Sequence, residues 1–174
     1  MTGEVIAGRV WKFGDDINTD LMLPSSGGRS NDSEEEQARQ VFSANRPGWV
    51  DLVQPGDFIV GGRNFGTGSS RPAARALRHC GIACLLADSI TGLFFRNCVN
   101  YGLLALECAG ISEIFEEGQM AEVMLADFSI RNPATGVTAH GLAVPGNLLA
   151  MMRGGGLYPI LEQRGLIRPL PATK

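Results

Sequence analysis

A chain of 174 residues with 44% hydrophobic content predicts one globular domain spanning 1–174. Its net charge of −3 offers no basic surface to nucleic acid, and no apolar run is long enough to span a bilayer. The opening Met1-Thr2-Gly3-Glu4-Val5 lacks the charged-then-apolar layout of a signal peptide, so the expected compartment is the cytoplasm.

Residues 5–13 alternate as a first strand, and Gly14 to Asp20 is turn chemistry. Leu21 to Pro24 reads as a short extended piece. Locally, Asp20 reads as a turn cap. The Gly/Ser/Asn/Asp-rich stretch Ser25–Ser33, with Arg29 inside it, is expected to be a loop. Asp32-Ser33-Glu34-Glu35-Glu36-Gln37 starts a helix with acids in its first turn, whose apolar face is Ala38, Val41 and Phe42, and Pro47-Gly48 ends it. Trp49 to Val53 then lead into the turn Gln54–Asp57.

Phe58–Gly62 predicts a buried strand, and Pro72–Cys80 a helix stopped by Gly81. Ile82–Ala87 is an apolar run suited to a strand covered on both faces. Asp88-Ser89 is expected to cap a helix over Ile90–Tyr101, which Gly102 stops before the strand Leu103–Cys108. Strand, helix, strand, helix, strand implies a parallel sheet, with ligands outside the carboxyl ends of its strands. A short helix over Ile111–Gly118, one alternating strand over Ala121–Ile130, a turn at Asn132–Gly136 and a returning strand Val137–Ala143 follow. Helices over Leu148–Met152 and Leu157–Gln163, parted by Gly154-Gly155-Gly156, close the chain.

The four cysteines, Cys80, Cys84, Cys98 and Cys108, form no C-x-x-C pair, and His79 and His140 are far apart. No metal site built by this chain alone is expected, and the thiols read as buried and reduced.

The stretch Gly61–Pro72 joins the predicted strand to the predicted helix. Gly66 and Gly68 permit positive φ and close approach to the main chain. Thr67 lies between them. Ser69, Ser70 and Arg71 add two hydroxyls and a guanidinium fork able to grip a carboxylate or phosphate. Such a turn either only connects two elements or forms a small anion site. It is neither a P-loop nor a dinucleotide fingerprint, since no Lys-Ser/Thr pair follows the glycines and Arg71 stands at the third glycine position.

Four blocks in order, Gly8–Asp20 with Pro24, Asn64–Arg71, Phe94–Asn97 with Gly102-Leu103-Leu104, and Gly155–Leu157, resemble the 3-isopropylmalate dehydratase small subunit. The resemblance spans nearly the whole chain. It implies an α/β fold, the three-layer β/β/α swivelling domain of the aconitase superfamily. It implies a partner large subunit that carries a [4Fe-4S] cluster, and dehydration and rehydration of a small hydroxy di- or tricarboxylic acid. In that family the iron acts as a Lewis acid on the leaving hydroxyl. By resemblance Ser69 is the base, as an alkoxide held by the backbone around Gly66, Thr67 and Gly68 and by a nearby cation. Arg71 clamps a substrate carboxylate with Ser70 assisting, and Asp20 orients a partner charge.

Two departures stand out. Pro72-Ala73-Ala74 replaces the family's Glu-His-Ala, removing an acid and an imidazole near the site. Gly27-Gly28-Arg29-Ser30 replaces a Tyr-Leu-x-x motif that selects substrate. Arg29 is either a reader of a polar or charged substituent or a solvated loop residue. Homocitrate, citrate and a dimethylmalate therefore stand beside isopropylmalate as substrates, and a non-catalytic binding or regulatory subunit is the alternative of another class.

Overall fold

The computed structural model describes residues 4–24, 33–68 and 71–169. Its frame is a seven-stranded sheet ordered β4-β3-β2-β1-β5-β6-β7. Strands β1 (Val5–Lys12), β2 (Phe58–Gly61), β3 (Cys84–Ala87) and β4 (Leu104–Glu107) are parallel. Strands β5 (Met120–Met124), β6 (Ser129–Arg131) and β7 (Thr138–His140) continue from the other side of β1, each antiparallel to its neighbour. The sheet curls until its ends approach. The Leu142 N–H donates to the Glu107 carbonyl at 2.7 Å, just past β7 and at the end of β4.

Composition explains the two halves. Strands β2 and β3 are apolar at every position and wholly buried, as parallel strands between covering elements must be. Strand β5 alternates buried and less buried residues, as a strand with one wet face does.

The parallel strands are joined through helices. Helix α4 (Ala73–His79) joins β2 to β3, and α5 (Gly92–Tyr101) joins β3 to β4. The end of α4 is a Schellman motif. Gly81, at φ +90°, donates to the Arg78 carbonyl, and Ile82 donates to the Leu77 carbonyl. Helix α5 ends at Gly102, φ +73°, packed so closely on the Gly155-Gly156 backbone that no Cβ fits there. Helices α7 (Gly146–Arg153) and α8 (Leu157–Gln163) pack against α5, and α6 (Ile111–Ile114) against β2 and β3.

The β1–β2 connection contains α1 (Thr19–Met22), α2 (Glu34–Ala38) and α3 (Trp49–Leu52). It is held by an aromatic cluster. Phe13 stacks on Phe42 with centroids 4.2 Å apart, and the Trp49 ring stands edge-on to Phe42 at 5.1 Å.

Six sequence expectations need correction. The helix expected to run to Pro47 ends at Ala38, and Phe42, expected on its apolar face, takes φ +56° in the turns beyond. Leu21-Met22 belong to a helical turn, because the Asn18 side chain caps it by accepting from the Leu21 N–H at 2.7 Å. Trp49–Leu52 is helical rather than a lead-in to a turn, with Gly48 at φ +81° as its cap. Pro72 is the cap of α4 rather than its first helical residue. Asp88 and Ser89 do not cap α5, because Asp88 accepts from Ser112 and Ser89 accepts from the Asn64 N–H; Thr91 is the cap residue. The expected strand Ala121–Ile130 is two strands, β5 and β6, parted by a turn in which Phe128 takes φ +57°.

Candidate functional site

Past the carboxyl ends of β1, β2 and β3 the chain does not splay into loose loops. The β1–β2 ladder continues as single backbone bonds. Phe13 donates to the Val60 carbonyl at 2.8 Å, Gly62 to Gly14 at 3.1 Å, Asp16 to Arg63 at 2.8 Å, Gly66 to Ile17 at 2.7 Å, and Thr19 to Thr67 at 2.8 Å. On the other side, Phe65 donates to the Ser89 carbonyl and Thr91 to the Phe65 carbonyl, both at 3.0 Å. The glycine-rich segment is thus clasped between the loops that follow β1 and β3.

Side chains reinforce the clasp. Asp15 accepts from the Arg63 N–H at 2.8 Å and from its guanidinium, and these bonds hold its carboxyl below the usual carboxylate range. Asn64 Nδ2 donates to Asp16 Oδ1 at 3.0 Å. Both residues sit at φ +56°, a conformation Asn and Asp tolerate better than most residues. The Thr91 hydroxyl donates to the Gly66 carbonyl at 2.6 Å.

The two glycines carry the backbone as their sequence suggests. Gly66 has φ +83° and Gly68 φ +80°. A Cβ on Gly66 would enter the Phe94 side chain, and one on Gly68 would lie 2.9 Å from Thr19 Oγ1. The Thr19 hydroxyl is buried under this turn with no hydrogen-bond partner among the described residues.

Two predicted site residues, 51 positions apart, meet where the clasp ends. Arg71 Nε donates to Asp20 Oδ1 at 3.2 Å. The Arg71 side chain is 25% exposed and that of Asp20 67%. Asp20 uses the side of the guanidinium, which leaves the end-on pair of Nη groups, unbonded among the described residues, to face a second oxyanion. Of the expected backbone donors, the Gly66 N–H is already committed to Ile17. The N–H groups of Thr67 and Gly68 enter no backbone bond among the described residues. Ser69, Ser70 and Arg29 lie outside the described residues. The Pro72 and Ala73 substitutions fall at the cap and first residue of α4, where Ala73 and Ala74 are buried.

Sequence reasoning missed Thr91, Phe94, Asp15 and Asp16 as supports of this turn. The Asp15-Asp16 pair carried turn chemistry in the sequence, but its partners Arg63 and Asn64 are 48 residues away.

The described residues do not fit a metal cluster. No group of three or more His, Cys, Asp or Glu side chains converges among them. Cysteine ligates a metal as the thiolate. Burial pushes the Cys84 and Cys98 thiols far above their usual range, and the Cys80 thiol up to about 11. No described helix is long and apolar enough to cross a membrane.

Comparison with known proteins bears on this geometry. The aconitase C-terminal domain family matches residues 19–110, which run from the first residue of α1 through the clasp to the loop after β4. The isopropylmalate/citramalate isomerase small subunit of Methanocaldococcus jannaschii is 42% identical over 161 residues, covering 92% of this chain and 95% of that protein. The 3-isopropylmalate dehydratase small subunit 1 of Methanopyrus kandleri is 39% identical, covering 93% of this chain and 95% of that protein. A crystal structure of 3-isopropylmalate dehydratase (LeuD) from M. jannaschii superposes with a TM-score of 0.86 at 32% identity, covering 95% of this chain and 98% of that one.

Proposed function

The chain belongs to the 3-isopropylmalate dehydratase small-subunit family, and from that premise we propose that it completes the active site of a heteromeric hydro-lyase in leucine biosynthesis. Its substrate is 3-isopropylmalate, which the assembly isomerises by dehydration and rehydration. The observation that carries this reading is the Asp20–Arg71 pair at the end of the clasped loops, outside the carboxyl ends of β1 and β2.

Each residue has a role in this reading. The Nη groups of Arg71, unbonded among the described residues, take one substrate carboxylate, and Asp20 fixes the guanidinium plane through Nε. Ser70 assists in holding that carboxylate. Ser69 removes the proton next to the carboxylate in dehydration and returns it in the reverse direction. The N–H groups of Thr67 and Gly68 and the charge of Arg71 make its alkoxide accessible. Arg29 reads the substituent that distinguishes one acid from another. The [4Fe-4S] cluster is assigned to the large subunit, consistent with the burial that pushes the Cys84 and Cys98 thiols up.

A second reading is favoured by the name of the M. jannaschii relative, an isopropylmalate/citramalate isomerase small subunit at 42% identity. On that reading the same residues also process the smaller citramalate.

The test is turnover by this chain mixed anaerobically with its cluster-loaded large subunit, on a panel of 3-isopropylmalate, citramalate, homocitrate and citrate. Turnover of 3-isopropylmalate, lost in Ser69→Ala with assembly intact, is the expected result. Undiminished turnover by Ser69→Ala removes the base assignment. A stable complex that turns over none of the acids removes the catalytic reading in favour of a binding subunit.

A further inference from the structure

A cavity of 530 Å³ opens between α4, α5 and α8. Helices α4 and α5 start at the carboxyl ends of β2 and β3 and run back toward the amino ends of β3 and β4. The cavity lies where they finish. Arg75, Arg78 and His79 line it from α4, Tyr101 from α5, Tyr158 from α8 and Glu34 from α2.

The charges in this cavity are incompletely matched. Arg75 Nη2 donates to Gln37 Oε1 at 2.8 Å, but its nearest carboxylate, Glu34, is 3.7 Å from Nη1, too far for a direct hydrogen bond. Arg75 Nε is buried with no acceptor among the described residues, a donor stripped of water. Arg78 spends Nη1 on the carbonyls of Tyr101 and Gly155, at 3.1 and 3.0 Å, and has no carboxylate within ion-pair distance among the described residues. Glu34 is shared at 3.7 Å between Arg75 and His79 Nδ1, so one loosely held carboxylate faces one guanidinium group and one imidazole.

The remaining wall is Asn100, Gly155, Pro159 and two tyrosines. The Tyr101 ring carries the Arg75 guanidinium on its face at 5.8 Å. Tyr158 is 52% exposed and stacks on no other ring among the described residues. The volume falls within the range of small-molecule sites, roughly 300–1,000 Å³.

We propose that this cavity is a second ligand site, separate from the substrate site, for a small organic oxyanion: a carboxylate or phosphate on an apolar or aromatic body. The oxyanion meets Arg75 and Arg78, competing with Glu34, and the body lies against Tyr158. Every residue named in this site belongs to this chain, so it is tested on the isolated chain and its failure is distinguishable from failure of the hydro-lyase reading.

The test is an amide-resolved NMR titration of the full ¹⁵N-labelled chain at low salt, with phenylpyruvate as organic probe and inorganic phosphate as bare oxyanion. The expected result is movement of the Arg78, Gly155 and Tyr158 amides by phenylpyruvate, at concentrations about tenfold below those at which phosphate acts. Tyr158→Ala, a half-exposed position that leaves the fold intact, weakens phenylpyruvate about fivefold and leaves phosphate unchanged. Arg75→Gln weakens both by about tenfold or more. Equal affinity for the two probes, no movement of these amides, or movement confined to residues 66–71 each overturns the proposal.

Discussion

At Gly66 the absence of a side chain settles the shape of the proposed site. Its φ of +83° is strained for any L side chain, and a Cβ there would overlap Phe94, which is buried against Phe65. Gly66→Ala therefore costs about 3 kcal/mol, from backbone strain and overpacking together. It also displaces the turn that precedes Ser69. Urea unfolding measures the first effect, and kcat of the assembled enzyme the second. A variant as stable and as active as the parent would mean that the turn has another conformation open to it. Asp20 and Arg71 make the complementary case, because their value lies in their meeting. Neither has a local feature that predicts the other. Local chemistry nominated Arg71, only resemblance to a family motif nominated Asp20, and the fold then places their side-chain atoms 3.2 Å apart.

Individual elements decide how firmly that turn is held. The start of α5 grips it through one hydroxyl, Thr91 Oγ1 to the Gly66 carbonyl at 2.6 Å. Thr91→Val keeps the shape and removes the donor, leaving the carbonyl to find another partner. The expected loss is about 1 kcal/mol of stability, with kcat reduced more than KM is raised because the turn carries the proposed base. A rise in KM alone would place the clasp in binding rather than chemistry. This grip shows where sequence reading stops. The run β2–α4–β3–α5–β4 was legible because its strands are continuous apolar runs and its helices end on glycines. Helix α1 was not, because a polar turn followed by Leu21-Met22-Leu23 fits an extended piece as well as a helical turn. What separates them is the Asn18 cap. The β5–β6 turn was hidden because the apolar alternation runs on through residues 125–128, and the left-handed Phe128 that reverses the chain has no sequence signature. Thr91 looked like any helix-start residue, since its partner is 25 positions away.

For the molecule as a whole, the two halves of the sheet share β1, and one buried carboxylate ties β1 to the entry of β2. Asp57, 5% exposed, accepts from Arg9 Nη2, from Trp11 Nε1 at 2.7 Å and from the Gln54 N–H at 2.9 Å. Burial by itself would raise this carboxyl. The hydrogen bonds from Arg9, Gln54 and Trp11 outweigh it, and the net position is below the usual carboxylate range. A depressed folded pKa fixes the sign of the pH dependence. The contribution is fully present above the unfolded-state pKa, near 4, and is lost as pH falls through the lower folded value. Arg9 is 36% exposed, so water screens part of its attraction, and the Trp11 and Gln54 bonds carry much of the effect. Asp57→Asn keeps the shape and discards the charge. It is expected to lower stability by about 2 kcal/mol at pH 7. Because a protonated Asp57 resembles Asn, the gap between variant and parent should close below about pH 4. Urea midpoints of both proteins from pH 7 to pH 2 test this. A gap that stays constant across that range would assign the loss to altered packing at the β1–β2 junction rather than to the charge.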